Sequence, residues 1–248
     1  MNKPRIAIFD FACCEGCQLQ IVNLEEEILD LLGAADVVEW REAMSEQSHE
    51  YDIAIVEGSI TRPEDAARLE LIRSRAKVLI AFGACATIGG VNKLKNNFNL
   101  DEVKECVYGE AASKPHLNTA MTKAVDEVVK VDFKIHGCPI DRKEFTYIVR
   151  CLLMGKTPNI PDFPICVECK ANGNPCLWEY GQVCLGPIIR AGCGARCPSS
   201  GFRCFGCRGY VDNPNVDAAK EVIEKYKLNV EDLKTKMVLF GSKQEPTL

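Results

Sequence analysis

Short apolar runs alternate with amphipathic stretches along the first 157 residues of the chain. Uninterrupted apolar runs are typical of strands that are buried on both faces of a parallel sheet, whereas apolar residues at intervals of three and four are typical of helices. The alternation of the two patterns predicts a parallel sheet that is covered by helices. The predicted strands are 5–11, 37–40, 53–56, 78–82 and 133–136.

The stretches between the strands carry helix signals. Leucine and isoleucine recur at helical spacing over residues 19–32 and predict a helix there. Pro63 stands where proline is favoured, in the first turn of a helix, and further helices are predicted over 117–129 and 142–154. Together these elements predict a doubly wound, flavodoxin-like α/β domain over residues 1–157.

The character of the chain changes after this domain. Residues 156–210 contain six prolines and frequent glycines, and neither helical nor strand periodicity is sustained. A segment of this kind buries little apolar surface by itself and needs a metal or a covalent link to hold its shape. Two closing helices are predicted over 216–226 and 230–237, so residues 158–248 form a second, irregular domain.

Charge and hydropathy exclude several classes of protein. The net charge of −5 provides no global basic field for nucleic acid or an anionic membrane surface. The longest uncharged run, residues 78–92, contains three glycines and is too short to span a bilayer. The apolar run 6–9 fits neither a secretory signal nor a lipid anchor. We expect a cytoplasmic protein without direct membrane insertion, in a reducing compartment where clustered cysteines bind metals.

Fifteen cysteines are present, and eight of them lie between residues 166 and 207. Spacing divides these eight into two sets of four, and four thiolates are the ligands of a 4Fe-4S cluster. A structural zinc site also takes four thiolates, so spacing alone leaves the metal open. The two sets are Cys166, Cys169, Cys176 and Cys184, followed by Cys193, Cys197, Cys204 and Cys207.

Two further features favour iron and sulfide over zinc. Residues 163–210 carry five Lys and Arg against two Glu, a net charge of +3, and neighbouring cations stabilise a reduced, anionic cluster. A third set of four thiols follows predicted strands, at the edge of the sheet where ligands collect in open α/β folds. Three sets favour a series of redox centres over three zinc sites. The third set is Cys14, Cys17, Cys85 and Cys138.

The residues around these cysteines resemble the motifs of nickel-iron hydrogenase small subunits. The resemblance runs in order from about residue 4 to residue 210. It is strongest to the cytoplasmic branch, which includes the delta subunit of NAD(P)-linked sulfhydrogenases and the small subunit of methyl-viologen-reducing hydrogenases. The motifs that carry it include Phe11-Ala12-Cys13-Cys14-Glu15-Gly16-Cys17-Gln18, Val56-Glu57-Gly58-Ser59, Phe82-Gly83-Ala84-Cys85-Ala86, His136-Gly137-Cys138-Pro139, Cys166-Val167-Glu168-Cys169, Ala195-Arg196-Cys197-Pro198 and Cys204-Phe205-Gly206-Cys207-Arg208-Gly209.

The resemblance implies three 4Fe-4S clusters and no catalytic residue in this chain. A large-subunit partner would carry the nickel-iron site that oxidises dihydrogen or reduces protons. Electrons would pass through the clusters to a flavin- or iron-sulfur-containing acceptor subunit. The ligands implied are the proximal set (Cys14, Cys17, Cys85 and Cys138), the medial set (Cys193, Cys197, Cys204 and Cys207) and the distal set (Cys166, Cys169, Cys176 and Cys184).

Two positions depart from the exported, membrane-associated members of the family. Those proteins have histidine where Cys166 stands and lack a ligand where Cys197 stands. An anionic thiolate in place of a neutral imidazole lowers the reduction potential, and so does completion of a cubane, because ligand charge and cluster type set it. We expect three all-cysteine clusters that suit a low-potential acceptor such as nicotinamide or ferredoxin.

Three residues beside the proximal motifs are possible neighbours of the cluster. Glu15 and Glu57 are predicted either to accept hydrogen bonds or relay protons there, or to be solvated or salt-bridged carboxylates. His136 either donates to a cluster sulfur or is a hydrogen-bonded structural histidine, which is the interpretation that we favour.

The remaining cysteines are assigned no metal. Cys13 could replace Cys14 as a ligand, but Cys14 has the common cubane spacing to its partner and is preferred. Cys106 and Cys151 lie on predicted helices and are interpreted as buried free thiols. The glycine-rich turn 83–90 lacks the ending of a P-loop and the spacing of a dinucleotide fingerprint, so no flavin or nucleotide is expected in this chain.

Two alternatives from other classes stay open. A relay subunit of a quinone-reductase-like complex would share the fold and the proximal set but normally lacks the eight-cysteine segment. A zinc-stapled interaction protein would be colourless and redox-silent. Iron and acid-labile sulfide content separates the zinc protein from the other two.

Overall fold

Five parallel strands form one sheet within residues 3–240, the part of the chain that this computed structural model describes. They are β1 (Arg5–Asp10), β2 (Asp36–Trp40), β3 (Ile53–Glu57), β4 (Val78–Phe82) and β5 (Phe133–Ile135). Their order across the sheet is β2-β1-β3-β4-β5, and neighbouring strands are parallel. This is the flavodoxin-like order, so the predicted doubly wound α/β fold is confirmed.

Both faces of the sheet are buried, which explains the uninterrupted apolar runs. Side chains alternate along β1, so Ile6 and Ile8 pack on one face while Ala7 and Phe9 pack on the other. Helices cover each face. The helices of the described residues are, in chain order, α1 (Gly16–Val22), α2 (Glu26–Ala34), α3 (Pro63–Arg75), α4 (Gly83–Ile88), α5 (Leu100–Tyr108), α6 (Arg142–Leu153), α7 (Cys166–Ala171), α8 (Arg196–Ser199), α9 (Val216–Tyr226) and α10 (Val230–Met237), of which the last four belong to the cysteine-rich part.

The helix predicted over residues 19–32 is broken in two. It forms α1 and α2 because Glu25 has a φ of 55°, a value outside the α-helical range. The glycine-rich turn predicted at 83–90 is also more regular than expected, since α4 occupies most of it. Among residues 3–240 we find no helix with the length and apolar character needed to cross a membrane.

The helix predicted over residues 117–129 is wrong. Short 3-10 turns form at its two ends, and the backbone between them pairs with the segment that follows β3. The N–H of Ala120 donates to the carbonyl of Thr61, and Lys123 and Ile60 exchange two hydrogen bonds. These backbone groups form their hydrogen bonds with another segment and not within a helix, so the apolar spacing over residues 117–129 did not determine their structure.

The cysteine-rich part has little regular structure and a core of its own. Its predicted closing helices are confirmed as α9 and α10. Ile223 and Leu233 from these helices are buried in the same core as the thiols of Cys184 and Cys204. The helices therefore cover the cysteine-bearing loops. The domain boundary at residues 157 and 158 stays a prediction.

A carboxylate at the entry to β5 connects this strand with β4 and with helix α3. Asp132 Oδ2 accepts hydrogen bonds from the N–H of Leu79 on β4 at 2.8 Å and from Arg73 Nη1 on α3 at 2.6 Å. Burial opposes ionisation, but these two donors hold the pKa of Asp132 below its usual value. Asp132 is therefore ionised in the folded protein at neutral pH.

We predict that Asp132→Asn destabilises the protein by about 1–2 kcal/mol, because a charge-assisted hydrogen bond is lost in a partly buried place. The lowered pKa means that this contribution is present at pH 7 and is lost only as the pH falls through the folded pKa. The unfolding midpoint at pH 7 measures it. Asp30→Asn is the matched control, since Asp30 forms an exposed ion pair with Arg150. Equal shifts for the two variants would show that Asp132 has no special role.

Candidate metal centres

The predicted proximal thiols lie where three segments leave the sheet. Cys14 follows β1, Cys17 lies in the first turn of α1, Cys85 lies on α4 directly after β4, and Cys138 follows β5. The strands are parallel, so all of these segments emerge at the same edge. The expected convergence at this edge is therefore present, and the role of the four thiols as ligands stays a prediction.

Electrostatic coupling between the thiols reports how close they are. Burial, followed by the neighbouring thiolates of Cys138 and Cys14, raises the pKa of Cys85 to about 12. Burial also raises the pKa of Cys17, with Glu57 and Cys138 adding to the effect. Burial and nearby negative charge therefore both disfavour the ionised forms of Cys17 and Cys85, and a bound metal would offset this by compensating the charge.

Two glycines, one at the start of α4 and one just after its end, leave room for proximal sulfur atoms. A Cβ atom added at Gly83 would lie 2.5 Å from Cys17 Sγ, and one added at Gly90 would lie 2.8 Å from Cys85 Sγ. Both glycines have positive φ, 84° and 61°, which other residues adopt at a cost. The sulfur atoms therefore leave room for nothing larger than hydrogen at these two positions.

Within residues 3–240, Glu57 is neither solvated nor paired with a cation, so the solvated or salt-bridged alternative is wrong for it. It lies at the end of β3, is 2% exposed, and accepts hydrogen bonds from the backbone N–H groups of Cys17 at 3.1 Å and Gln18 at 3.2 Å. Burial raises the pKa of Glu57, and the two N–H donors oppose this rise. Its carboxyl group thus fixes the start of α1, and with it the position of the Cys17 thiol.

The other two predicted neighbours of the cluster differ from Glu57. Glu15 forms an ion pair with Arg41 at 3.1 Å, as its salt-bridged alternative predicts. His136 is buried, and burial followed by Arg190 and Arg208 lowers its pKa well below the usual value, so the ring is neutral. Its Nδ1 has no hydrogen-bond partner among the described residues, which the favoured structural interpretation did not predict.

The distal set is brought together by α7 and the loops after it. Cys166 and Cys169 lie on α7, and Cys176 precedes a 3-10 turn at Leu177–Tyr180. Burial, followed by the neighbouring thiolates of Cys184, Cys169 and Cys176, raises the pKa of Cys166 to about 12. The four thiols that spacing grouped together are therefore neighbours in space.

The medial set lines one cavity. This cavity has a volume of about 170 Å³, and its walls include all four medial thiols, the proximal Cys138, and apolar side chains such as Ile165 and Ile189. Burial raises the pKa of Cys207 to about 11, and the nearby Arg208 opposes this rise. A cavity with four thiols and mainly apolar walls fits an iron-sulfur cluster.

Two contacts connect the three sets. Cys138 of the proximal set lines the same cavity as the four medial thiols. The N–H of Cys204 in the medial set donates to Cys184 Sγ in the distal set at 3.2 Å. Hydrogen bonds to sulfur are among the factors that tune cluster potentials. The sets are thus linked in the order proximal, medial, distal.

Two long-range contacts of charged side chains beside the sets were not predicted from the sequence. Glu168, between the two distal cysteines of α7, accepts hydrogen bonds from the N–H groups of Gly192 at 2.8 Å and Ala195 at 3.1 Å in the medial loop. Arg208 and Glu144 form a buried ion pair between the cysteine-rich part and α6. Local spacing carries no signal for either contact, because the partners are 24 and 64 residues apart.

The thiols outside the three sets differ in burial. Cys151 is buried as predicted, whereas Cys106 is exposed on α5, so the prediction of a buried thiol is wrong there. Cys13 is half-buried, and its pKa is raised to about 12 by burial and then by Glu57. Cys13 also lies near Cys85, so proximity alone does not decide between it and Cys14.

In residues 3–240, no group of three or more His, Cys, Asp or Glu side chains is arranged to hold a single metal ion. A tetrahedral zinc site with bonds of about 2.3 Å places its four sulfurs about 3.8 Å apart. A 4Fe-4S cluster instead binds one thiolate at each of four separate iron atoms.

Comparisons with known proteins agree with the motifs. The family described as NADH ubiquinone oxidoreductase, 20 Kd subunit, matches residues 14–152. The chain is 36% identical to sulfhydrogenase 2 subunit delta of Pyrococcus furiosus, covering 89% of this chain and 92% of that protein. It is 31% identical to a subunit of the F420-non-reducing hydrogenase vhu of Methanococcus voltae, covering 85% and 84% respectively.

A solved structure gives the same result for the fold. It is titled as an NAD+-reducing [NiFe]-hydrogenase in the H2-reduced state and aligns with a TM-score of 0.59 at 27% sequence identity. The alignment covers 64% of this chain and 96% of the matched chain. Both sequence and structure therefore relate this chain to subunits of hydrogenases.

We predict that Gly83→Ala lowers the iron content of the protein, because the new methyl group would collide with Cys17 Sγ and displace it. The expected loss is confined to the proximal set, so about one third of the iron disappears if each set holds one cluster. Iron analysis of the purified protein measures it. Gly33→Ala is the matched control, since a Cβ atom there meets nothing within 4 Å. Unchanged iron in Gly83→Ala would contradict the close approach.

Proposed function

The chain belongs to the family of hydrogenase iron-sulfur small subunits, and we propose that it relays electrons one at a time through three 4Fe-4S clusters. The relay would run between the nickel-iron site of a large subunit and a partner oxidoreductase subunit. The observation that carries the proposal is the arrangement of the three four-thiol sets in series, in which Cys138 lines the cavity of the medial set and the N–H of Cys204 donates to Cys184 Sγ of the distal set. Such a series suits stepwise electron transfer.

Membership of this family makes the chain a subunit of an oxidoreductase. When bound, the clusters would supply one-electron carriers. The residues of this chain would hold and position them, exclude water, and set their potentials. Arg196, Arg203 and Arg208 each adjoin a medial cysteine in sequence, and such cations favour the reduced form of an anionic cluster. The chemistry of dihydrogen would belong to the large subunit.

The exposure of the proximal set supports a large-subunit interface at the sheet edge. Cys14 and Cys138 are exposed although they are proposed cluster ligands. Leu19 and Val22 on α1, the helix that carries Cys17, are 56% and 49% exposed. A partner that covers this edge would bury both the thiols and the apolar side chains over an interface of obligate size. A flavin- or iron-sulfur-containing acceptor subunit would then receive electrons at the distal set.

The all-cysteine ligand sets support a low-potential relay. Cys166 provides a thiolate where exported relatives use histidine, and Cys197 completes the medial set. Both thiols lie beside the other members of their sets. We propose that the acceptor is a low-potential carrier such as nicotinamide or ferredoxin. The cytoplasmic location stays a prediction.

The quinone-reductase-like alternative is less well supported than the hydrogenase subunit. The family match ends at residue 152 and so leaves out the medial and distal sets. The similarity to the Pyrococcus furiosus delta subunit covers 89% of the chain, which is too much to leave those sets out. Similarity beyond the shared domain therefore favours hydrogenase.

We predict that the protein isolated anaerobically holds about twelve iron and twelve sulfide per chain, as expected for three cubanes. Cys197→Ser should lower the iron content and introduce a 3Fe-4S signal in electron paramagnetic resonance spectra. Cys106→Ser, which changes an exposed cysteine outside the three sets, should leave both readouts unchanged. Zinc without sulfide would replace this proposal with the stapled interaction protein.

A second pair of variants decides between the adjacent cysteines. Cys14→Ser should remove about four of the twelve irons, because it deprives the proximal set of one thiolate. Cys13→Ser should keep the full iron content and the same spectrum. Both changes replace sulfur by oxygen at neighbouring positions, so each variant controls for the other. The reverse result would assign the ligand role to Cys13.

A further inference from the structure

A buried ion pair lies between the two cysteine-bearing parts of the chain. The side chains of Arg208 and Glu144 are 1% and 6% exposed. Arg208 Nη2 and Nη1 donate to Glu144 Oε1 and Oε2 at 2.6 and 2.8 Å, which is a bidentate fork. Glu144 lies on α6 of the flavodoxin-like fold, and Arg208 follows the last cysteine of the medial set. The pair therefore connects the proximal and the medial part.

The remaining donors of Arg208 reach the segments that lead to proposed ligands. Nη1 donates to the carbonyl of His136 at 2.7 Å, two residues before Cys138. Nε donates to the carbonyl of Ala191 at 2.7 Å, two residues before Cys193. Arg208 itself adjoins Cys207. One guanidinium group thus fixes the backbone next to one proximal cysteine and two medial cysteines.

Stability alone does not explain such an arrangement. Desolvation of two charges offsets much of their attraction, and well-packed apolar residues of similar volume stabilise a core about as well. The planar guanidinium differs from apolar residues in the fixed directions of its donors and in its permanent charge. Even the neighbouring backbone is adapted to it, because a Cβ atom at Gly192 would collide with the Arg208 guanidinium.

We infer that Arg208, oriented by Glu144, is a positioning residue for electron transfer between the proximal and medial sets. It fixes the position of Cys138 relative to Cys193 and Cys207, and its positive charge raises the reduction potential of the group that the medial set holds. The inference rests on the proposed function, since it requires redox groups in both sets.

The effect of the Arg208 charge on the medial potential is tested in the intact complex by redox titration followed by electron paramagnetic resonance. Arg208→Gln removes a positive charge beside the medial set, so the medial potential should shift to a more negative value. Glu144→Gln leaves the Arg208 charge uncompensated, so the same potential should shift to a more positive value. A purely structural role predicts shifts of the same sign or none, and either result would overturn the charge effect.

The positioning role of Arg208 is tested by a variant that keeps its positive charge. Arg208→Lys retains one positive charge but loses the fork and the bond to the Ala191 carbonyl. The medial potential should stay near that of the parent, while the magnetic interaction between the reduced proximal and medial groups should weaken. An unchanged interaction would overturn the positioning role. This variant also decides the matter if the glutamine variants lose iron.

Arg196→Gln is the matched control for both tests. Arg196 also adjoins a medial cysteine and also forms an ion pair with the flavodoxin-like part, to Asp141 at 2.9 Å, but its side chain is 67% exposed. Solvent screening should keep its effect on the medial potential small. A parent complex without iron or sulfide would refute the proposed function itself. Iron present at parental levels, with potentials that follow Arg196 as much as Arg208, would refute only this inference.

Discussion

Parallel strands place all of their carboxyl ends at one edge, and the proximal site depends on this constraint. The segments after β1, β4 and β5 carry the thiols, while β3, which lies between them in the sheet, contributes Glu57. No two of these segments need to be close in sequence. The carboxylate of Glu57 then determines where α1 begins. The sheet therefore brings the sulfur atoms to one edge and also fixes the position of Cys17 there.

The cysteine-rich part follows a different principle. It has little regular secondary structure, and five of its eight thiols belong to its hydrophobic core or pack against it, together with residues of α9 and α10. Buried thiols pack as small apolar groups, so the same atoms serve packing and proposed metal ligation. The loops are further connected by Glu168 and Arg208, whose hydrogen bonds go mainly to backbone groups. Polar contacts to the backbone supply the order that helices and strands supply elsewhere.

Sequence patterns predicted the features that repeat or cluster. Apolar runs located the five strands, and cysteine spacing grouped thiols that are neighbours in space. The patterns failed where a distant partner decides the outcome. The backbone near Lys123 pairs with Ile60 instead of forming a helix, and Glu57 is buried beneath α1 although carboxylates are usually solvated. From the sequence, Arg208 was only one of the five positive charges of residues 163–210, because its partner on α6 is 64 residues away.

Cys204 serves two sets, one with its side chain and the other with its backbone. Its sulfur belongs to the medial set, and its N–H donates to Cys184 Sγ of the distal set. Almost every amino acid has a backbone N–H, and proline alone lacks one. Replacing Cys204 would therefore remove a thiol and leave the amide donor in the chain. The link between these two sets is in this sense protected from nearly all point mutations, while the ligands themselves are not.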